Sequence, residues 1–170
     1  MYTFRKAEPS ELPQIWKIIQ HAIAQRKADG SQQWQDGYPN PKVLQRDIDR
    51  GAGFVLAQGK TLAAYCAIIV NDEPAYTNIE GKWLSEGDFV VFHRIAVAQS
   101  HTKKGFGRQI LQHIEQFASD NGLRSIRADT NFDNEAMLHL FTSMGYTYCG
   151  QVYFRGSARK AFEKLLPSAP

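Results

Sequence analysis

The segment 93–108 contains the residues whose types and spacing are best suited to chemistry. An apolar, β-branched strand that carries His93 and Arg94 leads into a short basic stretch, in which Gly105 and Gly107 are separated by one residue. An amphipathic helix follows. In a parallel α/β unit, a turn from strand to helix lies at the carboxyl edge of the sheet, where ligands bind. The sequence therefore predicts a ligand site at this turn.

The predicted ligand of the turn is a diphosphate. The first backbone N–H groups of a helix have no intrahelical partner, and together with the helix dipole they attract an anion. Glycine has no Cβ atom, so the chain can turn sharply and a phosphate can come close to Gly105 and Gly107. Basic side chains add positive charge at the rim: Lys103, Lys104 and Arg108.

A glycine pair by itself often only shapes a loop, and two more specific phosphate motifs are missing from the sequence. It contains no Gly-x4-Gly-Lys-Ser/Thr segment, and Ile110 occupies the third position of a Gly-x-Gly-x-x-Gly pattern. These features disfavour a nucleoside triphosphatase and a dinucleotide-dependent dehydrogenase.

Length and composition are those of an ordinary globular domain. The chain has 170 residues, of which 43% are hydrophobic and 22% charged, and its formal net charge is +3. We expect a single domain at 1–166 and a frayed tail at 167–170. The small net charge argues against nucleic acid as a partner. The sequence contains no segment of ~20 apolar residues, so no membrane span is predicted. The low cysteine content (Cys66 and Cys149) and the lack of an apolar leader favour the cytoplasm.

Alternating strands and helices must position the turn. Strands are predicted where β-branched and apolar residues cluster: at 2–7, 88–98, 124–130, 146–154 and 159–166. Two more strands are predicted within 53–70, one on each side of a turn at 58–60. Helices are predicted where apolar residues recur at helical spacing: at 12–30, 41–51, 107–122 and 134–145. This order implies an α/β layer fold with a partly parallel sheet.

Two motifs in the sequence resemble the GNAT superfamily of N-acetyltransferases. The family's core motif is a strand ending in a pattern like Leu-Ala-Val, followed by Gln/Arg-x-x-Gly-x-Gly/Ala at the start of a helix. The sequence offers Ile95-Ala96-Val97 and then Thr102-Lys103-Lys104-Gly105-Phe106-Gly107. The family's second pattern, Asn-x-x-Ala-x-x-Leu-Tyr-x-x-x-Gly-Phe, is similar to Asn134-Glu-Ala-Met137-Leu-His-Leu140-Phe141-Thr-Ser-Met144-Gly145-Tyr146.

With the order of strands and helices, the likeness covers nearly the whole chain. It implies the α/β GNAT fold, in which a mixed, mostly antiparallel sheet with splayed parallel central strands is flanked by helices. It also implies transfer of an acetyl group from acetyl-coenzyme A (acetyl-CoA) to a primary amine, by direct attack without a covalent enzyme intermediate.

The resemblance assigns roles around this cofactor. The pantetheine would lie between strands 93–98 and 125–130, paired with the backbone of Ile95 and Val97, and an N–H near Val97 would polarise the thioester carbonyl. Residues 102–108 would hold the pyrophosphate, and Asn134 and Phe141 would line the other side. The implied cofactor-binding residues are Ile95, Ala96, Val97, Thr102, Lys103, Lys104, Gly105, Phe106, Gly107, Arg108, Asn134 and Phe141.

Three positions depart from the family pattern. Thr102 stands in place of the usual Gln or Arg, and Lys103 in place of a common Gly; because the pyrophosphate loop uses mainly backbone donors, these changes should only tune affinity. Phe141 replaces a tyrosine that in many relatives protonates the departing coenzyme A thiolate. That role is vacant or filled elsewhere, and Tyr148 and Tyr153 are the candidate general acids, with packing as their alternative role.

His93 is the candidate general base. It lies four residues before Val97, where some members of the family carry a histidine that helps to deprotonate the amine. A free amine is mostly protonated at pH 7, and histidine as a residue type suits a base near neutral pH. The alternative is a strand histidine that is held by hydrogen bonds.

Charged residues also occur in strands that should be mostly buried, namely Arg94, Arg127 and Asp129. An unpaired buried charge is costly, so we expect Asp129 to pair with one or both arginines. A bracing ion pair is one interpretation, and an arginine that recognises an acidic group on the acceptor is the other.

Two loops rich in aromatic and acidic residues should cover the acceptor end. The aromatic side chains of these loops could form a wall of the acceptor site, or could only hold the long loops against the core. These residues are Trp34, Tyr38, Tyr76 and Trp83. The predicted acceptor-binding set consists of these four residues with Arg94, Arg127 and Asp129.

A small-molecule amine is the leading acceptor in this interpretation. The alternatives are acetylation of a protein N-terminus or lysine, and a non-catalytic sensor of coenzyme A or acyl-coenzyme A. The resemblance further implies a homodimer as a candidate assembly. No metal ion is expected.

Overall fold

The computed structural model describes residues 1–168, so the predicted tail at 167–170 lies partly outside the described residues. The helices are α1 (Leu12–Ala28), α2 (Pro41–Asp49), α3 (Phe106–Asp120) and α4 (Glu135–Ser143). The strands are β1 (Thr3–Lys6), β2 (Gly53–Gln58), β3 (Thr61–Val70), β4 (Glu80–Gly81), β5 (Phe89–Val97), β6 (Ser125–Thr130), β7 (Thr147–Phe154) and β8 (Ser157–Leu165).

The chain forms two compact units, each with its own strands. The first contains residues 1–68 and 93–113, and the second contains 69–92 and the residues from 114 onward. The strands are hydrogen-bonded in the order β1-β2-β3-β5-β6-β8-β7-β4, and β5 runs from the second unit into the first. The sheet is mixed and mostly antiparallel with one parallel pair, which confirms the predicted GNAT fold class.

In the first unit, helices α1 and α2 cover the antiparallel strands β1, β2 and β3. Three isoleucines of α1 lie on one helical face and are buried: Ile15, Ile18 and Ile19. They pack with Leu44 of α2 and with Val55 and Tyr65 of the sheet. Helix α2 begins at a side-chain cap, because Asn40 accepts a hydrogen bond from the backbone N–H of Val43 at 3.1 Å.

In the second unit, β6 pairs with β5 in parallel and with β8 in antiparallel orientation. The parallel register covers Phe89 to Val91 against Ser125 to Arg127, whereas β5 continues to Val97 and β6 to Thr130. Helix α4 packs its fully buried Phe141 against Phe162 of β8, with ring centroids 4.8 Å apart.

The short strand β4 corrects the sequence analysis, which placed its residues in a loop. Glu80 and Gly81 pair with β7 because two glycines allow the backbones to approach closely. A Cβ atom on Gly81 would lie 2.1 Å from the carbonyl oxygen of Cys149, and one on Gly150 would lie 2.2 Å from that of Glu80. The other predicted elements are present, with bounds shifted by a few residues. Among residues 1–168, no helix has the length and apolarity to cross a bilayer.

Candidate active site

The turn between β5 and α3 has the backbone expected of an anion-binding loop. After Val97 the chain forms a 3-10 turn at Gln99–His101, and then Lys103 and Gly105 adopt left-handed conformations with φ of 60° and 81°. Helix α3 starts at Phe106, and its first intrahelical bond runs from Gln109 N–H to the Gly105 carbonyl at 3.1 Å. The N–H groups of the first helical turn are therefore available to a ligand.

The surroundings of this turn fit a diphosphate. Lys103, Lys104 and Gly105 are exposed, and a Cβ atom added to Gly105 would meet no heavy atom within 4 Å, so its Cα faces open space. The helix dipole and the two lysines make this space electropositive.

The loop is held by its own side chains. Thr102 donates to the carbonyl of Gln99 at 3.0 Å, and Lys104 donates to that of Ser100 at 2.9 Å. Phe106 is 7% exposed and packs edge-on against Tyr2 at 4.9 Å, so its side chain anchors the start of α3 while its backbone stays at the turn. Within the predicted cofactor-binding set, Thr102 and Phe106 thus also shape the loop.

Strand β5 leads directly into this loop. Ile95 and Val97 are half-buried, and the N–H of Ala98 is bonded to the Ala63 carbonyl of β3 at 2.8 Å. Arg94 has a φ of 56° inside the strand, which costs a non-glycine residue about 1–2 kcal/mol. A left-handed residue is unusual inside a strand, and this one directly precedes Ile95.

Arg94 is fixed by a buried polar network of the first unit. Its side chain is 7% exposed and that of Asp47 only 1%. Arg94 donates to the two oxygens of Asp47 at 2.9 and 2.6 Å, and to the hydroxyl of Tyr38 at 2.6 Å. Tyr65 also donates to Asp47, at 2.6 Å. Burial alone would lower the pKa of Arg94, but Tyr38 and Asp47 raise it, so the guanidinium stays charged.

A second buried network occurs in the second unit, around Glu163. Glu163 is fully buried and accepts hydrogen bonds from Ser85 at 2.6 Å and from Ser125 at 2.5 Å. Arg127 lies 3.3 Å from Glu163, donates to the Ser85 carbonyl at 2.7 Å, and is sandwiched between the rings of Trp83 and Phe89 at 4.5 and 4.3 Å. These contacts fasten the segment before β5 onto β6 and β8.

These ion pairs correct the expectation that Asp129 would pair with Arg94, Arg127 or both. Arg94 pairs with Asp47, and Arg127 pairs with Glu163. Asp129 instead accepts a hydrogen bond from Tyr76 at 2.6 Å and lies 3.8 Å from Arg159. The partners are far apart along the chain, so local sequence patterns could not assign them.

A cavity of about 360 Å³ in the second unit collects several predicted acceptor-binding residues. Tyr76, Trp83 and Arg127 line it together with Phe89, and Glu73 and Glu86 add negative charge. Of the other four predicted residues, Asp129 belongs to the second unit but does not line the cavity. Trp34, Tyr38 and Arg94 belong to the first unit, where Arg94 donates a hydrogen bond to Tyr38.

The remaining candidates lie in varied settings. His93 is half-buried on β5. The Asn134 side chain caps α4 by accepting a hydrogen bond from Met137 N–H at 3.2 Å, and Phe141 is fully buried.

The two candidate general acids differ in their contacts. Tyr148 is 52% exposed, whereas the Tyr153 hydroxyl donates to Glu80 at 2.8 Å, which raises the pKa of that tyrosine. In residues 1–168, no cluster of three or more His, Cys, Asp or Glu side chains could hold a metal ion.

Sequence reasoning missed three charged residues of these networks: Asp47, Glu163 and Arg159. Asp47 lies between the buried Leu44 and Ile48 of α2, and a carboxylate on the apolar side of a helix is a signal that could have identified it.

Comparison with known proteins gives a consistent result. Residues 16–146 match the acetyltransferase (GNAT) family. The chain is 35% identical to a GNAT acetyltransferase of Streptococcus agalactiae, with a TM-score of 0.90 and coverage of 98% of this chain and 96% of that one.

Two further matches are an acyltransferase and a solved structure with the same fold. The chain is 26% identical to an L-amino acid N-acyltransferase of Escherichia coli, over 88% of this chain and 82% of that protein. An acetyltransferase of Salmonella typhimurium, solved with acetyl-CoA, has the same fold at 17% identity and a TM-score of 0.70, covering 100% of this chain and 96% of that one. The chain therefore belongs to the GNAT acetyltransferase family and is an acetyl-CoA-dependent acyltransferase.

Proposed function

We propose that this protein transfers the acetyl group of acetyl-CoA to the primary amine of a small molecule. The observation that carries the proposal is the unit of strand, left-handed turn and helix from His93 to Arg108, with open space at Gly105. The resemblance of the chain to an L-amino acid N-acyltransferase supports a small amine as the acceptor.

Within the first unit, the donor would be held mainly by backbone. The N–H groups at the start of α3 and residues 102–108 would bind the pyrophosphate, with Lys103, Lys104 and Arg108 as the nearby charges. The backbone of Ile95 and Val97, two half-buried residues, would pair with the pantetheine, and the N–H near Val97 would polarise the thioester carbonyl. Ala96 lies between them. For Asn134 and Phe141, the family motif alone supports a role toward the donor.

The chemistry supplied by acetyl-CoA is an activated acetyl thioester. A C–N bond to the acceptor forms as the C–S bond breaks, so the amine must lose a proton and the thiolate must gain one. His93 would take the proton from the amine, directly or through water. Tyr148 and Tyr153 are the candidate proton donors to the thiolate; both are exposed, and the Tyr153 hydroxyl already donates to Glu80.

A thiol-release assay tests the proposal. The protein and acetyl-CoA are incubated with one class of amine in each reaction: L-amino acids, polyamines, aminoglycosides or peptides. We expect amine-dependent thiol release with a small amine. Release with peptides alone would favour a protein acetyltransferase, and tight acetyl-CoA binding by calorimetry without release for any amine would favour a sensor. Either outcome would contradict the proposal.

The role of His93 has its own test. His93→Ala should lower the maximal rate most near neutral pH, because at higher pH the amine loses its proton without help. His139→Ala, an exposed histidine on α4, is the control that should leave the rate unchanged. A pH–rate profile of His93→Ala with the wild-type shape would show that His93 is not the base.

A further inference from the structure

Arg159 is a buried arginine of β8 whose charge is only loosely paired. The residue is 8% exposed, and its Nε atom has no hydrogen-bond partner. Its guanidinium approaches Asp129 Oδ1 at 3.8 Å and the ring of Phe154 at 5.7 Å. A separation of 3.8 Å is too long for a hydrogen bond, and buried guanidinium groups are normally both paired and hydrogen-bonded. The Arg159 guanidinium therefore lacks a hydrogen-bonded anionic acceptor.

Asn131 carries a second buried polar atom without a partner, its side-chain oxygen Oδ1. Strand β6 ends at Thr130, which pairs with Lys160 of β8, so Asn131 follows the last paired residue of β6. Arg159 is the neighbour of Lys160 at the same end of this strand pair. An unsatisfied N–H donor and an unsatisfied amide oxygen thus occur at one end of β6 and β8. Such groups in a native protein require an explanation.

Asp129 does not neutralise Arg159 fully because it is shared. Its other oxygen, Oδ2, accepts a hydrogen bond from Tyr76 at 2.6 Å. Tyr76 in turn lines the cavity of about 360 Å³ in this unit, along with Arg127, whose guanidinium already contacts Glu163 and the Ser85 carbonyl. Arg159 is therefore the guanidinium of this region with capacity for a further anion.

We propose that Arg159 binds the carboxylate of an α-amino acid acceptor, with Asn131 Oδ1 accepting a hydrogen bond from an N–H of the same molecule. An α-amino acid carries a carboxylate and an amine on the same carbon atom, so one molecule offers an acceptor for the Arg159 N–H and a donor for Asn131 Oδ1. This inference rests on the proposed function and specifies its substrate class. Arg159 acts as a binding residue, since the acetyl transfer itself occurs at the amine.

Paired substrates test this role. The kcat/KM for L-methionine and for L-methioninamide, which lacks the carboxylate charge, is measured with wild-type protein, Arg159→Met and Arg159→Lys. Wild type should prefer the acid by at least ~10-fold, because charge-assisted hydrogen bonds form only with the carboxylate. Arg159→Met should lose ~100-fold with the acid and less than ~3-fold with the amide. For Arg159→Lys, which keeps the charge, the preference for the acid over the amide should lie between those of wild type and Arg159→Met.

Equal losses with acid and amide, or a wild type that does not prefer the acid, would overturn the assignment. Arg46→Met, an exposed arginine on α2, is the matched control and should preserve the preference. Melting temperatures establish that each variant is folded, and if Arg159→Met is not, Arg159→Lys still tests the preference.

Failure of the proposed function would be seen separately. If neither these substrates nor amines without a carboxylate release thiol, acetyl transfer to small amines is wrong. Calorimetric titration of L-methionine into wild type and Arg159→Met, both saturated with coenzyme A, then decides the carboxylate site alone. Binding that is at least ~10-fold weaker in the variant supports the site, and equal or absent binding overturns it.

Discussion

Arg94 and Arg159 both project from strands into surroundings almost free of solvent, with side chains 7% and 10% exposed. Arg94, in the first unit, donates three hydrogen bonds, to both oxygens of Asp47 and to Tyr38. Arg159, in the second unit, has only a 3.8 Å ion pair and an Nε atom without a partner. Burial of the two side chains is similar, so they differ mainly in their hydrogen bonds: those of Arg94 form within the chain, whereas the Nε–H of Arg159 has no partner and is left for the ligand that we propose.

The largest expected effect comes from removing the partner of Arg94. Asp47→Asn leaves the guanidinium buried without its countercharge, which should cost about 3–5 kcal/mol of unfolding free energy. Urea denaturation measures this loss. Asp49→Asn, at an exposed position of the same helix, is the control and should change the unfolding free energy by less than ~0.5 kcal/mol. A loss below ~1 kcal/mol for Asp47→Asn would show that the Arg94 network does not brace the fold.

An intermediate effect is expected from Tyr65, which adds a third hydrogen bond to Asp47 beside the two from Arg94. Tyr65→Phe keeps the buried ring and removes one hydrogen bond of 2.6 Å to a buried carboxylate. The unfolding free energy should fall by about 1–3 kcal/mol. The double-mutant cycle with Asp47→Asn should show coupling, because in that background the hydroxyl has already lost its charged acceptor. Strict additivity would place Tyr65 outside the network.

The smallest effect is expected at Arg159, and it sharpens the contrast most. Since its charge is weakly paired, replacing it with the apolar Met should change the unfolding free energy by no more than ~1 kcal/mol, and stabilisation is an allowed result. Equilibrium denaturation in the absence of substrates measures this. Destabilisation as large as that of Asp47→Asn would mean that Arg159 has a structural role like that of Arg94.

The local part of the site could be predicted from the sequence. The strand ending in Ile95-Ala96-Val97, the glycine pair and the amphipathic helix follow each other directly, so periodicity predicted the turn, and the resemblance of its motif to the GNAT motif indicated the family. The second motif, from Asn134 to Tyr146, identified α4 in the same way. These features depend on neighbours along the chain, which a sequence displays.

The long-range part could not be predicted. Arg94 lies 47 positions from Asp47, and Glu163 lies 36 positions from Arg127. Which charges pair is decided by how strands and helices pack. Asp129 is the nearest carboxylate to Arg127 along the chain, but Arg127 pairs with Glu163 and Arg94 pairs with Asp47. Strand β4 was missed for a similar reason, because its pairing depends on a close approach of Gly81 and Gly150.

Identification of the reaction product tests the central claim most directly. Wild-type protein is incubated with acetyl-CoA and a mixture of L-amino acids, and the products are analysed by mass spectrometry while free thiol is measured. We predict an amino acid that gains one acetyl group on its amine, with one equivalent of coenzyme A released for each acetylated molecule. Bound acetyl-CoA with no acetylated amine, or thiol release by hydrolysis alone, would contradict the assignment of this protein as a small-molecule N-acetyltransferase.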